Sequence, residues 1–126
     1  MLLDTSAWIE LLENTKNTKR VKILLESEEC HTCIVTLAEI SNWAAKYNRD
    51  SEPIISRISK LSTIITIDNS MAVLAGRINF ERKINKRKWG MIDSFILATS
   101  LIYGLNILSR DSDFGDLQNV EILPKS

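Results

Sequence analysis

Acidic residues from four distant parts of the sequence stand at positions from which alternating strands and helices would bring them together: Asp4, Glu39, Asp93, and Asp111 with Asp113 two residues on. Carboxylates gathered in one cleft repel one another and resist ionisation unless a cation supplies the opposite charge. Oxygen donors favour Mg²⁺ or Mn²⁺ over zinc, and Mg²⁺ keeps several waters and a substrate phosphate in its shell. Such a centre suits phosphodiester hydrolysis, with a metal activating the attacking water and steadying the leaving oxygen and helix N-termini helping to hold the phosphate. Any one of these acids alone reads better as a helix cap, because Asp and Glu are favoured at helix starts. Asp68, between a strand and a helix, is assigned to capping, its strand being placed at the sheet edge. Joint placement is what distinguishes the other five.

The elements that must position them follow from periodicity. Met1 to Leu3 reads as a short strand, Asp4-Thr5-Ser6 as capping residues, and Trp8, Ile9 and Leu12 as the stripe of a helix. A second helix is expected over about 19–27. Cys30 to Val35 reads as the next strand, with Thr36 capping a helix whose Ile40, Trp43, Ala44 and Tyr47 recur at i, i+3, i+4 and i+7. This places Glu39 in a first helical turn. Pro53 opens a helix through Ile54, Ile55, Ile58 and Leu61, and the β-branched run Thr63 to Ile67 is a third strand. Met71, Leu74, Ala75 and Ile78 mark a helix broken by a basic stretch from Arg82 to Lys88. A last helix over Met91 to Tyr103 carries Asp93 in its first turn and stops at Gly104. Leu105 to Ser109 and Val120 to Leu123 complete the strands. Strands separated by helices imply an α/β fold, with right-handed crossovers and a parallel sheet covered on both faces. In such sheets ligands bind beyond the carboxyl ends of the strands, near the point where strand order reverses.

Composition sets the outer bounds. At 126 residues and 44% hydrophobic, the chain fits one domain spanning residues 1–126. Sixteen basic and sixteen acidic residues cancel, so any nucleic-acid site must be local rather than a global basic footprint. No apolar run approaches the length of a membrane span, and Met1 leads into a short apolar run without a signal-peptide layout, which reads as cytoplasmic. Cys30 and Cys33 flank His31, the sole histidine, in a C-x-x-C pattern, yet no second pair completes a zinc site. Residues three apart on a strand face opposite sides, so both cysteines are expected to be reduced and packed.

The segments Leu2-Leu3-Asp4-Thr5-Ser6-Ala7-Trp8-Ile9, Thr36-Leu37-Ala38-Glu39-Ile40, Met91 to Thr99 around Asp93, and Leu108-Ser109-Arg110-Asp111-Ser112-Asp113-Phe114 resemble, in order and separation, the four acidic motifs of the VapC-type PIN domains. The resemblance covers nearly the whole chain. It implies a three-layer α/β/α fold with a five-stranded parallel sheet, an Mg²⁺ or Mn²⁺ site, and cleavage of RNA as the toxin of a toxin-antitoxin pair. Matched residue by residue, Asp4, Glu39 and Asp93 take the principal acidic positions. Asp111 takes a fourth that varies among relatives, some of which use the acid in the place of Asp113. Ser94 stands where relatives often have Ala and Ser109 where they often have Thr. Ser6 and Ser109 could hydrogen-bond a metal-bound water or a carboxylate, while a serine beside a helix start also reads as a simple cap. The resemblance further implies a homodimer silenced by an antitoxin protein, for which the helices bearing Trp8, Ile9 and Leu12, and Trp43 and Tyr47, are candidate surfaces or simply core.

Arg82, Lys83, Lys86, Arg87 and Lys88 form a charge run just ahead of Asp93, placed to grip phosphates flanking the cut, although such a run can equally be a solvated face. Trp89 could stack on an unpaired base or anchor its helix to the core. Three other functions compete: a PIN nuclease of RNA maturation or decay, a non-catalytic PIN-like binding module, and a phosphoryl-transfer domain with Asp after a parallel strand. The last is disfavoured, since Asp4-Thr5-Ser6 lacks the second acid of an Asp-x-Asp motif and Lys125 lies too near the end for a response-regulator lysine.

Overall fold

The structure, a computed structural model, describes residues 1–125. Its elements in chain order are β1 (Leu2–Leu3), α1 (Thr5–Leu12), α2 (Thr18–Ser27), β2 (His31–Cys33), α3 (Ile34–Lys46), α4 (Ser51–Leu61), β3 (Thr63–Ile65), α5 (Asn69–Lys83), α6 (Met91–Tyr103), β4 (Ile107–Ser109), a 3₁₀ turn (Ser112–Phe114) and β5 (Val120–Ile122). The five strands form one parallel sheet in the order β3-β2-β1-β4-β5. The chain therefore grows outward from β1 to β3, then crosses back to lay β4 on the other side of β1. That reversal makes the gap between the carboxyl ends of β1 and β4 the topological switch point, where side chains are not covered by a crossover.

Two apolar layers account for the architecture. Neighbouring strand residues point to opposite faces. Leu3 and Leu108 accordingly join Trp8, Val21, Leu24, Ile40 and Ile58 beneath α1 to α4, whereas Leu2 and Ile107 join Ala75, Ile78, Ile96 and Phe114 beneath α5 and α6. The result is three layers, α/β/α. The cysteines divide in the same way: both are free and buried, Cys30 in the first layer and Cys33 in the second. Among the described residues, no helix is long and apolar enough to cross a membrane.

Several boundaries differ from the sequence reading, β3 ending at Ile65 and β4 beginning only at Ile107 among them. The strand expected over Cys30 to Val35 ends at Cys33, and α3 begins at Ile34 with Cys33 as N-cap, so Thr36 lies inside the helix and caps nothing. Ile34 and Val35 are β-branched and read as strand, but tertiary burial of Thr36, Ile40 and Ala44 on one helical face outweighs their weak helix propensity. Glu39 consequently falls in the second turn of α3. Helix α5 also continues through Arg82 and Lys83, beyond the expected break. By contrast α6 spans Met91–Tyr103 as the periodicity predicts, closed by Gly104 at φ 64°, a left-handed conformation that glycine adopts without cost. Asp68 caps α5 by accepting from Met71 N at 2.9 Å, and β3 is the sheet edge.

Candidate metal centre

Asp4 sits immediately beyond β1 and is only 6% exposed. Its Oδ1 accepts from the Ser6 hydroxyl at 2.7 Å and from Ala7 N at 3.0 Å, and its Oδ2 accepts from the Ser109 hydroxyl at the end of β4. Arg110 N donates to Ser6 Oγ at 2.8 Å and Asp111 N donates to Ser109 Oγ at 3.0 Å. The two hydroxyls approach to 3.3 Å, but each has a single hydrogen and gives it to Asp4, so the serines act as parallel supports of one carboxylate. They hold the ends of β1 and β4 at a fixed spacing. Three donors occupy Asp4, and a carboxylate offers about four acceptor positions. One remains for a ligand.

Asp93 is the electrostatic hub. Half-buried in the first turn of α6, its Oδ2 accepts from Gly90 N at 3.0 Å, the side-chain half of a capping box that glycine cannot reciprocate. Burial raises its pKa from 3.8 to about 6, the Gly90 bond opposes the rise, and the negative charges of Asp111, Glu39 and Asp113 add to it. Asp4 is likewise raised from 3.8 to about 6, by burial first and by the charge of Asp93 last, against the lowering effect of Ser109, Ser6 and Ala7. All five acids thus lie within electrostatic reach of one point at the switch. Glu39, half-buried on α3, is aimed by the Thr5 hydroxyl, which donates to its Oε1. Asp111 caps the 3₁₀ turn through Asp113 N at 2.9 Å, so capping and clustering are served by the same side chains.

Among the described residues, no three His, Cys, Asp or Glu side chains lie close enough to enclose a metal ion unaided. An open set of hard oxygen donors fits Mg²⁺ or Mn²⁺, which take one or two carboxylates and complete their shell with water and phosphate oxygens, and does not fit a closed zinc cage. Asp4, Glu39, Asp93, Asp111 and Asp113 are the residues that could hold such an ion.

The basic stretch divides in two. Arg82 makes a forked pair with Asp116 at 2.8 and 3.1 Å, donates to the Asp113 carbonyl at 2.8 Å, and lies 4.1 Å over the Trp89 ring. Lys86 also pairs with Asp116, at 3.6 Å. These two residues brace the loop that carries Asp111 and Asp113. Lys83, Arg87 and Lys88 are exposed and form no salt bridge among the described residues. Trp89 is fully buried against Phe114 and bonded to the Ser94 hydroxyl at 2.7 Å, which removes it as a base-stacking surface. Trp8 is buried too, with Nε1 donating to Thr32 at 3.1 Å, so it offers no partner surface. The most exposed large apolar side chains are Val73 and Phe80 on α5 and Ile84 just past its end, with Leu101, Ile102 and Tyr103 near the end of α6 and others scattered singly over the surface.

Sequence reasoning missed Thr5, Asp116 and the buried Glu10, whose carboxylate lies 3.3 Å from Arg110 Nε. Each pairs across 34 or more positions, or 100 for Glu10, and no local pattern marks the partner.

The backbone can be compared with solved structures. It superposes on a chain of a toxin-antitoxin complex from Klebsiella pneumoniae with a TM-score of 0.75 at 24% identity, covering 95% of this chain and 94% of that one. The VapBC2 complex of Rickettsia felis bound to promoter DNA gives 0.78 at 13% identity, with 98% of both chains covered. VapC20 of Mycobacterium tuberculosis, a sarcin-ricin loop cleaving toxin, gives 0.73 at 19%, again with 98% of both covered. At such identities the likeness establishes the fold. Among curated proteins no sequence match is found. The PIN domain family matches residues 1–120, which include every acid of the cluster. A sheet that reverses between β1 and β4, with carboxylates at that reversal and a match over nearly the entire sequence, places this chain in the PIN domain family.

Proposed function

We propose that the protein is an Mg²⁺- or Mn²⁺-dependent endoribonuclease, the VapC-type toxin of a toxin-antitoxin pair. The observation that carries this reading is the placement of carboxylates around the switch point of the sheet: Asp4 just beyond β1, bonded to Ser6 and to Ser109 at the end of β4, Asp111 and Asp113 just beyond β4, and Asp93 in the first turn of the helix that leads into β4. The bound cation would supply charge neutralisation at the phosphate and a water acidified enough to attack near neutral pH. Asp4, Glu39, Asp93 and Asp111, with Asp113 able to replace Asp111, would surround it, one or two binding directly and the rest through its waters. Ser6, Ser109 and Thr5 fix the carboxylates in position, so that little reorganisation is required when substrate arrives. Lys83, Arg87 and Lys88 hold flanking phosphates.

A protein inhibitor and a second copy of the chain are the expected partners. Related folds come from a toxin-antitoxin complex and from VapBC2, and Val73, Phe80 and Ile84 leave an apolar surface along α5 for such contacts. The deciding experiment is RNA cleavage in Mg²⁺, Mn²⁺ or EDTA by wild type, Asp4→Asn and Asp93→Asn. Cleavage confined to the metal-supplied wild type is expected. Activity in EDTA, or unchanged in both variants, overturns the reading.

A further inference from the structure

A groove of about 450 Å³ runs along α3 from the acid cluster, lined by Thr5, Glu39, Asn42, Trp43, Lys46 and Tyr47. Its inner end is the Glu39 carboxylate, and its outer end is an aromatic pair: Trp43 and Tyr47 have ring centroids 5.8 Å apart and planes inclined by 56°. Tilted rings touch edge to face, which leaves π surface on each for another partner. Arg49 covers Trp43 with its guanidinium 4.7 Å from the ring centre, held there by Glu13 at 3.3 Å, and the Lys46 ammonium lies 5.6 Å from the centre of the Tyr47 ring. Tyr47 is 53% exposed and Trp43 half-buried, whereas Trp8 and Trp89 are fully enclosed. Tyr47, the residue that closes α3, stands eight positions after Glu39, a rise of about 12 Å, which a short run of single-stranded RNA bridges.

We propose that this groove is a nucleobase-binding subsite, stacking an unpaired base of the RNA on Tyr47 and on the face of Trp43 that Arg49 leaves open, while Lys46 meets its phosphates and Asn42 hydrogen-bonds the base edge. The proposal rests on the nuclease reading and deepens it, because it names what holds the strand beside the acids. Flat π faces flanked by cations are the usual receptors of single-stranded nucleic acid. A protein partner's apolar face is better matched by α5, where Phe80 and Ile84 are 74% and 70% exposed, than by a groove containing a carboxylate, an amide and an ammonium group.

Because Trp43 is the tryptophan with exposed surface, intrinsic fluorescence reports on it. A mixed-sequence RNA octamer is titrated in EDTA, where metal-dependent cleavage is silent, against an abasic octamer of equal charge. The RNA is expected to quench the fluorescence and the abasic strand not to. By anisotropy of the labelled octamer, Tyr47→Ala should bind roughly tenfold more weakly. Trp43→Phe should lose the quenching while retaining most of the affinity. Equal quenching by the abasic strand overturns the proposal, as does wild-type affinity in Tyr47→Ala. If Tyr47→Ala instead changes the sedimentation behaviour and leaves octamer affinity intact, the face is a protein contact and the proposal fails. Failure of the subsite alone leaves metal-dependent cleavage in place, whereas failure of the nuclease reading removes cleavage and octamer binding together.

Discussion

The Ser109 hydroxyl donates to Asp4 Oδ2, tying the end of β4 to the end of β1 across 105 positions of sequence. The same oxygen accepts from Asp111 N, so one side chain orients an acid on each strand. Ser109→Ala deprives a buried carboxylate of a donor and a backbone amide of an acceptor. A loss of about 1–3 kcal/mol is expected in urea unfolding, and Ser109→Thr, which keeps the hydroxyl, should recover most of it.

Ionisation of Asp4 and Asp93 opposes folding. Their folded pKa values, about 6, lie above the ordinary 3.8, so between roughly pH 4 and 6 the folded state binds more protons than the unfolded chain. Without metal, their contribution to stability therefore falls as pH rises through that window. For buried Asp4 the fall is on the order of 3 kcal/mol. Thermal melts in EDTA from pH 4.5 to 8 should show the decline, and Asp4→Asn should flatten it and melt higher than wild type at pH 7.5. Added Mg²⁺ or Mn²⁺ should raise the wild-type melting temperature most above pH 6, where the carboxylates are free of protons, and should do so far less in Asp4→Asn or Asp93→Asn.

Arg82 connects α5 to the loop bearing Asp111 and Asp113, through Asp116, the Asp113 carbonyl and the Trp89 ring. Arg82→Ala should lower stability by about 1–2 kcal/mol and speed amide exchange over residues 111–116. Arg82→Lys should not restore the wild-type values, since an ammonium group can neither fork to Asp116 nor stack flat on indole. Rescue by lysine would show that charge alone suffices.

Exposed Lys83, Arg87 and Lys88 should contribute affinity without sequence preference. Replacing all three with Ala should weaken binding to RNAs of different sequence about equally. The slope of log K against log salt should become shallower by about 0.7 for each phosphate that is no longer neutralised. An unchanged slope would show that other cations hold the phosphates.

Much of the fold was legible because its signals are local. The short apolar run of Met1 to Leu3, the i, i+3, i+4 stripe of α6 and the glycine at its end each concern residues within a turn or two of one another. The acids were legible as well, since residues that follow a parallel strand or open the helix before one must emerge at the same end of the sheet. Where local propensity and packing disagreed, at Ile34 to Thr36, packing decided, and the sequence reading extended β2 too far.

Other properties belonged to the tertiary structure alone. Trp89, which the sequence offers as a base-stacking residue, is enclosed by the core, whereas Trp43, read as core or partner surface, borders a groove. Arg82 and Lys83 are adjacent cations, but one is consumed by Asp116 and the other faces solvent. The amino-acid order by itself determined which elements form and at which end of the sheet the carboxylates emerge, because capping, turn geometry and periodicity act over a few residues. Which side chains are buried, paired or free was decided only by the folded arrangement, because burial and ion pairing depend on neighbours that lie tens of positions away along the chain.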